Sequence, residues 1–233
     1  MEDQIMKNEN AEQREKEQWI EEFTALKDEG QMTPKQISIL EAAIEIFSDK
    51  GFSAASTSEI AQKAGVAEGT IFRYYKTKKD LLLSIVGPAM SRMIAPFVMR
   101  NFKGVLDMPF ESYEAFLRAF IVNRLDFARK NFKIIRILVQ EIPFQPALRE
   151  QFAENVLAQV LERVTSITEH FKAKGEVINA PTPAIIRFTI SSVIGYLLAR
   201  LLLMPEKDWD DEEEISLLIS FMLHGIGGPA LRE

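Results

Sequence analysis

Residues 56–79 constrain the fold most, because capping and turn signals follow one another there at short spacing. Ser56 and Glu59 have the spacing of a capping box, in which the serine bonds forward and the glutamate bonds back. Gly65 can end the helix that begins there, and a second short helix is expected from about Glu68 to Tyr75. These signals predict a helix-turn-helix, a unit whose second helix lies in the major groove of DNA.

The sequence also predicts what supports these two short helices. Thr33-Pro34 is a typical helix start, and apolar residues then recur on one face at Ile37, Leu40, Ile44 and Phe47. Gly51 should end this longer helix, with Phe52 folding back against it. Ile60, Ala61 and Ile71 should face inward, Val66 should be buried at the turn, and Phe72 and Tyr75 should fasten the second short helix.

Charge is unevenly distributed along the chain. The formal net charge is −6, and residues 1–31, with ten acidic and four basic residues, account for all of it. Between Lys63 and Lys79 there are five basic residues and a single acidic one, Glu68. A cationic patch of this kind could meet phosphates, although most basic clusters are simply solvated surface.

Composition excludes several kinds of chemistry. The chain has no cysteine, which rules out disulfides, thiol catalysis and cysteine-based metal sites. No hydrolase elbow, P-loop, dinucleotide fingerprint or zinc-protease motif occurs, so we expect neither an enzyme nor a cofactor nor a metal. The polar start of the chain is unlike a signal peptide. The apolar run from Phe188 to Met204 contains Arg200 and looks too short for a bilayer. We therefore expect a cytoplasmic protein without a membrane partner.

The segment from Thr33 to about Val86 resembles the TetR family of bacterial transcription regulators. The resemblance rests on "ILEAAIEIFSDKGFSAAST" followed by "EIAQKAGVAEGTIFRYYKTKKDLLLSIV". It implies an all-α fold, with an N-terminal three-helix DNA-binding domain and a C-terminal helical domain for effector binding and dimerisation. It further implies a homodimer on a palindromic double-stranded operator, usually a repressor, that a small molecule releases.

The resemblance also carries over residue roles. Thr57 and Ser58 would contact phosphate, Gly69, Thr70, Arg73 and Tyr74 would face the groove or its rim, and Lys78 would bind a phosphate from the next helix. Three positions depart from the usual family pattern. Ala67 stands where a capping serine or threonine is common, Phe72 replaces a frequent tyrosine, and Glu68 is acidic beside the DNA. Glu68 could favour the helix dipole or accept from a cytosine amino group, and the sequence leaves both open.

We divide the chain into an acidic extension (1–31), a helix-turn-helix domain (32–79) and an effector and dimerisation domain (80–233). The extension could be a short amphipathic helix or an acidic tail. Beyond Thr77, long helices are predicted over 77–103, 109–130, 132–141, 146–173, 183–204 and 211–225. Gly87-Pro88 should interrupt the first, either as a hinge or as the start of a separate helix.

The last two predicted helices are apolar almost all round, so each must be buried on more than one side. Gly195 and Ala199 would let a neighbouring helix approach closely, which suits a dimer interface, although central core helices of a monomer fit too. A mainly apolar effector is expected to contact Met93, Phe97, Phe116, Phe120, Asn123 and Phe127. Asn123 could instead form an interhelical hydrogen bond. The alternative function is an all-helical enzyme or adaptor with a purely structural helix-turn-helix.

Overall fold

The computed structural model describes residues 32–88 and 109–226, and within these ranges the chain forms helices and turns with no β-strand. The predicted all-α fold class is confirmed. The helices are Pro34–Ala54 (α1), Thr57–Lys63 (α2), Glu68–Tyr74 (α3), Lys78–Pro88 (α4), Tyr113–Lys130 (α5), Phe132–Glu141 (α6), Pro146–Phe152 (α7), Ala158–Ala173 (α8), Thr182–Leu198 (α9) and Asp211–His224 (α10). A π-helical turn, Ala153–Leu157, joins α7 to α8, and another, Ala199–Leu203, extends α9.

The described residues form two compact units. The first contains residues 32–88 and 130–156, so α6 and α7 group with the helix-turn-helix. The second contains residues 109–129 and 157–226. This division differs from the boundary that we placed after residue 79, because α6 packs along α1.

The start of α1 forms as its sequence predicts, and its end differs slightly. The Thr33 side chain accepts a hydrogen bond from the Gln36 backbone N–H, and the Gln36 side chain accepts one from the Thr33 N–H in return. Gly51 has a φ of +78°, which only glycine adopts easily, and it kinks the helix rather than ending it. The rings of Phe47 and Phe52 lie 5.6 Å apart, so the predicted fold-back contact is confirmed.

The first unit has a core in which every element of the helix-turn-helix takes part. The side chains of Ile39, Leu40, Phe47, Ile60, Ile71, Leu81 and Leu82 are almost fully buried. Ile60, Ala61 and Ile71 therefore face inward as predicted, whereas Val66 is only half-buried. At the turn, Gly65 has a φ of +67°, and the Val66 N–H donates to the Ala61 carbonyl at 3.0 Å.

The second unit is built around an aromatic cluster on α5. Tyr113, Phe116 and Phe120 are buried there, and Phe171 of α8 packs against Tyr113 with ring centroids 5.6 Å apart. Val193 of α9, like other residues of α9 and α10, completes the same core. The four helices of this unit thus share one apolar centre.

The helical run Thr182–Leu203 agrees with the predicted helix 183–204 and is longer than the apolar run from Phe188 to Met204. It has 22 residues and a mean hydropathy of 1.6, and only 17% of its most apolar window is buried. The prediction that this region is too short for a bilayer is wrong, because the helix begins before Phe188. By length and composition it could cross a membrane, but a single helix of this kind is weak evidence for a span.

Candidate DNA-binding surface and effector region

Helix α3 is fastened on one face and exposed on the other. Ile71 and Tyr75 are 1% and 6% exposed, and they lie four residues apart on the buried face. Phe72 is 46% exposed, so our prediction that it fastens the helix was wrong. It lies one position further round, on the exposed face with Gly69, Arg73 and the following Lys76. This exposed face is suited to enter a major groove.

A hydrogen bond joins the N-terminal residues of α2 and α3. The Thr57 hydroxyl donates to Glu68 Oε1 at 2.5 Å, while Ser58 beside it is exposed. No side chain caps α3, because Ala67 has no acceptor to offer. The sequence left two roles open for Glu68. The structure adds a third, because the side chain links the two short helices.

Lys78 is directed into the protein. Its ammonium group donates to the carbonyls of Phe52, Ala55 and Ser53 at 2.7, 2.8 and 3.3 Å, and lies 4.6 Å from the centre of the Phe52 ring. An ammonium group has three N–H donors, so these carbonyls account for all of them. The predicted phosphate contact would require Lys78 to leave the end of α1.

Arg73 and Tyr74 lie together at the rim of α3. The Arg73 guanidinium is 5.1 Å from the centre of the Tyr74 ring, and its Nη2 lies 3.4 Å from the Tyr74 hydroxyl. Hydrogen bonds with Thr33 and with Arg73 lower the pKa of Tyr74. Arg73 is exposed beside this ring, where a phosphate or a base edge could reach it.

Only part of the predicted cationic patch lacks a carboxylate or carbonyl partner among the described residues. Lys63 pairs with Glu45 of α1, and Lys78 is engaged as described above. Arg73, Lys76 and Lys79 are exposed and form no ion pair among the described residues. The positive charge without such a partner therefore lies on α3 and around the start of α4.

The predicted effector residues fall into three groups. Phe116 and Phe120 belong to the core of the second unit, with 1% and 6% exposure. Asn123 and Phe127 are half-buried, and Arg124, which the sequence analysis overlooked, contacts both. Met93 and Phe97 lie outside the described residues.

Arg124 places a positive charge between Phe120 and Phe127 of α5. Its Nε donates to Asn123 Oδ1 at 3.1 Å, its Nη2 contacts the same oxygen, and its guanidinium lies 4.9 Å from the centre of the Phe127 ring. Burial lowers the pKa of Arg124 to about 9. A charged residue one position after Asn123, within the phenylalanine stripe, was the available sequence signal.

Large apolar side chains remain exposed on α9 and α10. Phe188 and Ile194 of α9 are 56% and 49% exposed, and Leu217 and Phe221 of α10 are 44% and 47% exposed. A side-chain carbon added at Gly195 would meet no atom within 4 Å. An apolar face of this kind on a helix pair is typical of a surface that another chain covers.

Known proteins resemble the chain most strongly in the helix-turn-helix. Residues 39–85 match the family described as "Bacterial regulatory proteins, tetR family". The fatty acid metabolism regulator protein of Bacillus subtilis is 41% identical over 64 residues, which cover 28% of this chain and 33% of that protein. The regulator YvdT of the same organism is 40% identical over 78 residues, 31% of this chain and 38% of that protein. The chain thus spans only a little over a third of the length of these relatives.

Solved structures share the fold over most of the chain. FadR from Bacillus subtilis in complex with stearoyl-CoA has a TM-score of 0.63 at 20% identity, and covers 82% of this chain and 99% of that one. AibR in complex with isovaleryl coenzyme A and operator DNA has a TM-score of 0.63 at 16% identity, and covers 81% of this chain and 98% of that one.

These findings agree with the all-helical architecture and with the absence of enzyme motifs, since the matching proteins are regulators rather than enzymes. The match over residues 39–85 identifies a DNA-binding domain of the TetR family of bacterial transcription regulators in this chain, and the shared helical plan extends the likeness in fold to most of the chain.

Proposed function

We propose that this chain is a cytoplasmic repressor that binds a palindromic operator as a homodimer and is released by an acyl-coenzyme A. The exposed face of α3, with Phe72 and Arg73 beside the unpaired Lys76, carries the DNA-binding part of the proposal. Thr57, Ser58, Gly69, Thr70 and Tyr74 remain the further residues that we expect to contact DNA.

The homodimer is supported by the exposed apolar side chains of α9 and α10. A symmetric pair of subunits would bury this face and present two copies of α3 to successive turns of the duplex. The spacing between the recognition helices must then match the spacing of the operator half-sites.

The effector class is supported by two observations. FadR and AibR, which share the fold, bind stearoyl-CoA and isovaleryl coenzyme A respectively. In this chain, α5 presents apolar side chains and a half-buried cation, Arg124, beside Phe127. A ligand with an apolar tail and an anionic head would fit such a combination, and Met93, Phe97, Phe116, Phe120, Asn123 and Phe127 stay proposed contacts.

The test is a mobility-shift titration of the promoter region of the protein's own gene against a random duplex of equal length, at two stated salt concentrations. We expect tighter binding to the promoter, weaker binding at higher salt, and release by stearoyl-CoA or isovaleryl-CoA but not by coenzyme A alone. Arg73→Ala should reduce the preference for the promoter by about 1–3 kcal/mol if Arg73 reads a guanine. Equal affinity of the wild type for both duplexes would refute operator recognition.

A further inference from the structure

Glu68 is the acidic residue of the candidate DNA-binding surface, and it lies where a negative charge should be unfavourable. It is the first residue of α3, it is exposed, and it forms no ion pair among the described residues. The N-terminal residues of a recognition helix approach base edges most closely. A carboxylate placed there is repelled by the phosphates of any duplex.

The hydrogen bond from Thr57 fixes this carboxylate. Thr57 Oγ1 lies 2.5 Å from Glu68 Oε1, and it has one proton to donate. While the bond is intact, the Thr57 hydroxyl cannot donate to a phosphate, so the DNA contact proposed for Thr57 must be made by its other atoms, and Glu68 Oε2 remains available as an acceptor. The carboxylate is therefore oriented before DNA arrives, so little side-chain freedom is lost on binding.

We propose that Glu68 determines sequence specificity by accepting a hydrogen bond from a cytosine amino group in each operator half-site, and that Thr57 positions it for this contact. The proposal rests on the proposed function. In the major groove the cytosine amino group is a hydrogen-bond donor, and carboxylates accept from it. A guanine, or a thymine with its acceptor oxygen, offers the carboxylate no donor at its groove edge, and the charge then only repels the duplex.

This mechanism separates specificity from overall affinity. Removing the charge should strengthen binding to any DNA, because the repulsion disappears, but it should weaken discrimination at one base pair. Lys76 and Lys79 act in the opposite way, because they attract every duplex alike. Glu68 thus contributes to specificity, and the two lysines contribute to overall affinity.

The experiment is selection from a duplex library with a randomised centre, using the wild type, Glu68→Gln and Thr57→Val, followed by titration of the selected duplexes and of random DNA. We expect the wild type to select cytosine at one position in each half-site. Glu68→Gln should lose that preference by about tenfold and bind random DNA more tightly. Thr57→Val should also reduce the preference, while Thr57→Ser, which keeps the hydroxyl, should retain it.

Glu150→Gln on α7 is the matched control, because Glu150 is exposed in the same unit but outside the helix-turn-helix. It makes the same change of charge and should leave the selected sequences unaltered. Thermal unfolding of each variant separates a folding defect from a change in recognition.

Two outcomes would overturn the inference. If Glu68→Gln strengthens binding to selected and random duplexes by the same factor, Glu68 is only a repulsive charge. If it changes neither, Glu68 lies outside the interface. In both cases the wild type still selects an operator, whereas a wild type that enriches no sequence would contradict the proposed function itself.

Discussion

Lys78 connects the end of one helix to the start of another through a single ammonium group. Its three carbonyl partners belong to residues 52, 53 and 55, where α1 ends after the kink at Gly51. The carbonyls at a helix end have no partners within the helix, and a cation there is favourable. The side chain therefore has a structural use that competes with any contact to DNA.

Lys78→Ala should lower the free energy of unfolding and should have little effect on the salt dependence of DNA binding. Losing a charged donor from three carbonyls should cost about 1–3 kcal/mol in free energy of unfolding. The neighbouring Lys79 is exposed, so Lys79→Ala should leave stability unchanged and reduce the slope of log K against log salt by about 1 per half-site.

Chemical denaturation and salt titration of both variants test this assignment. The reverse pattern, in which Lys78→Ala is stable but has the smaller salt slope, would restore the phosphate contact that the sequence predicted. It would mean that the ammonium group leaves α1 when DNA binds.

These residues show where sequence reasoning succeeds and where it stops. The pairs Thr33–Gln36 and Ser56–Glu59 were predictable because both partners lie within one helical turn. The partners of Lys78 lie more than twenty positions earlier in the chain, and no local pattern indicates them. The orientation of Phe72 was missed for a simpler reason, because hydrophobicity alone placed it inside.

At the scale of elements, two acidic residues stabilise the start of α10 in different ways. Asp210 accepts from the backbone N–H groups of Glu212 and Glu213, as a helix cap does. Asp211 accepts from Arg129 at 2.5 Å, Tyr196 at 3.0 Å and Arg200 at 3.1 Å. The acidic run at residues 208–214 therefore caps a helix and joins it to α5 and to the α9 region.

Asp211→Asn should lower stability at neutral pH and have little effect in acid. Burial raises the pKa of Asp211, but the hydrogen bonds from Arg129, Arg200 and Tyr196 outweigh it, and the pKa in the folded state lies below its ordinary value. The unfolded state thus binds the proton more readily, so the stabilisation is complete above about pH 4 and is lost as pH falls through the folded pKa. Unfolding curves between neutral and acidic pH test this.

Asp208→Asn is the control for this pH dependence, because Asp208 is exposed in the same acidic run. It should follow the wild type at every pH. A difference between Asp211→Asn and the wild type that persists undiminished in acid would assign the effect to packing and not to charge.

Helix α4 carries the proposed link between effector and DNA. It begins with Lys78 and continues through Gly87 to Pro88, the last described residue of this range. Proline within a helix removes one backbone hydrogen bond and favours a bend. Whether Pro88 is a hinge or the start of a separate helix stays open, since residues 89–108 lie outside the described ranges.

Pro88→Ala should change the effector concentration that releases DNA while leaving effector affinity within a few-fold. A bend that couples the two sites would contribute about 1–3 kcal/mol, the usual range for allosteric coupling. Operator release measured against acyl-CoA concentration tests this in both proteins. Coincident release curves at equal DNA affinity would remove Pro88 from the switch.

At the scale of the whole molecule, the sequence predicted the fold class and the order of helices better than their grouping. Capping residues and apolar periodicity are local, and they located α1, α2 and α5 to within a few residues. That α6 packs on α1 depends on contacts between distant segments, so the sequence assigned it to the other domain. The apolar character of α9 was evident, but which of its side chains are exposed was not.

Gly195→Leu distinguishes an interface between chains from a core within one chain. Gly195 is exposed on α9 near Ile194, and a side chain built there meets no atom of its own chain within 4 Å. Leucine also favours helix more than glycine does, by somewhat less than 1 kcal/mol. The substitution should therefore leave the isolated subunit at least as stable, and any loss must come from a partner.

We expect Gly195→Leu to sediment as a monomer and to bind the operator poorly, because a single recognition helix loses the second half-site. Gly195→Ala is the matched control: it gains helix propensity with only one added carbon, and it should remain dimeric. Sedimentation at several protein concentrations, followed by operator titration, tests both variants. If Gly195→Leu remains a dimer with unchanged operator affinity, the subunits meet on another surface, and the exposed side chains of α9 and α10 need a different partner.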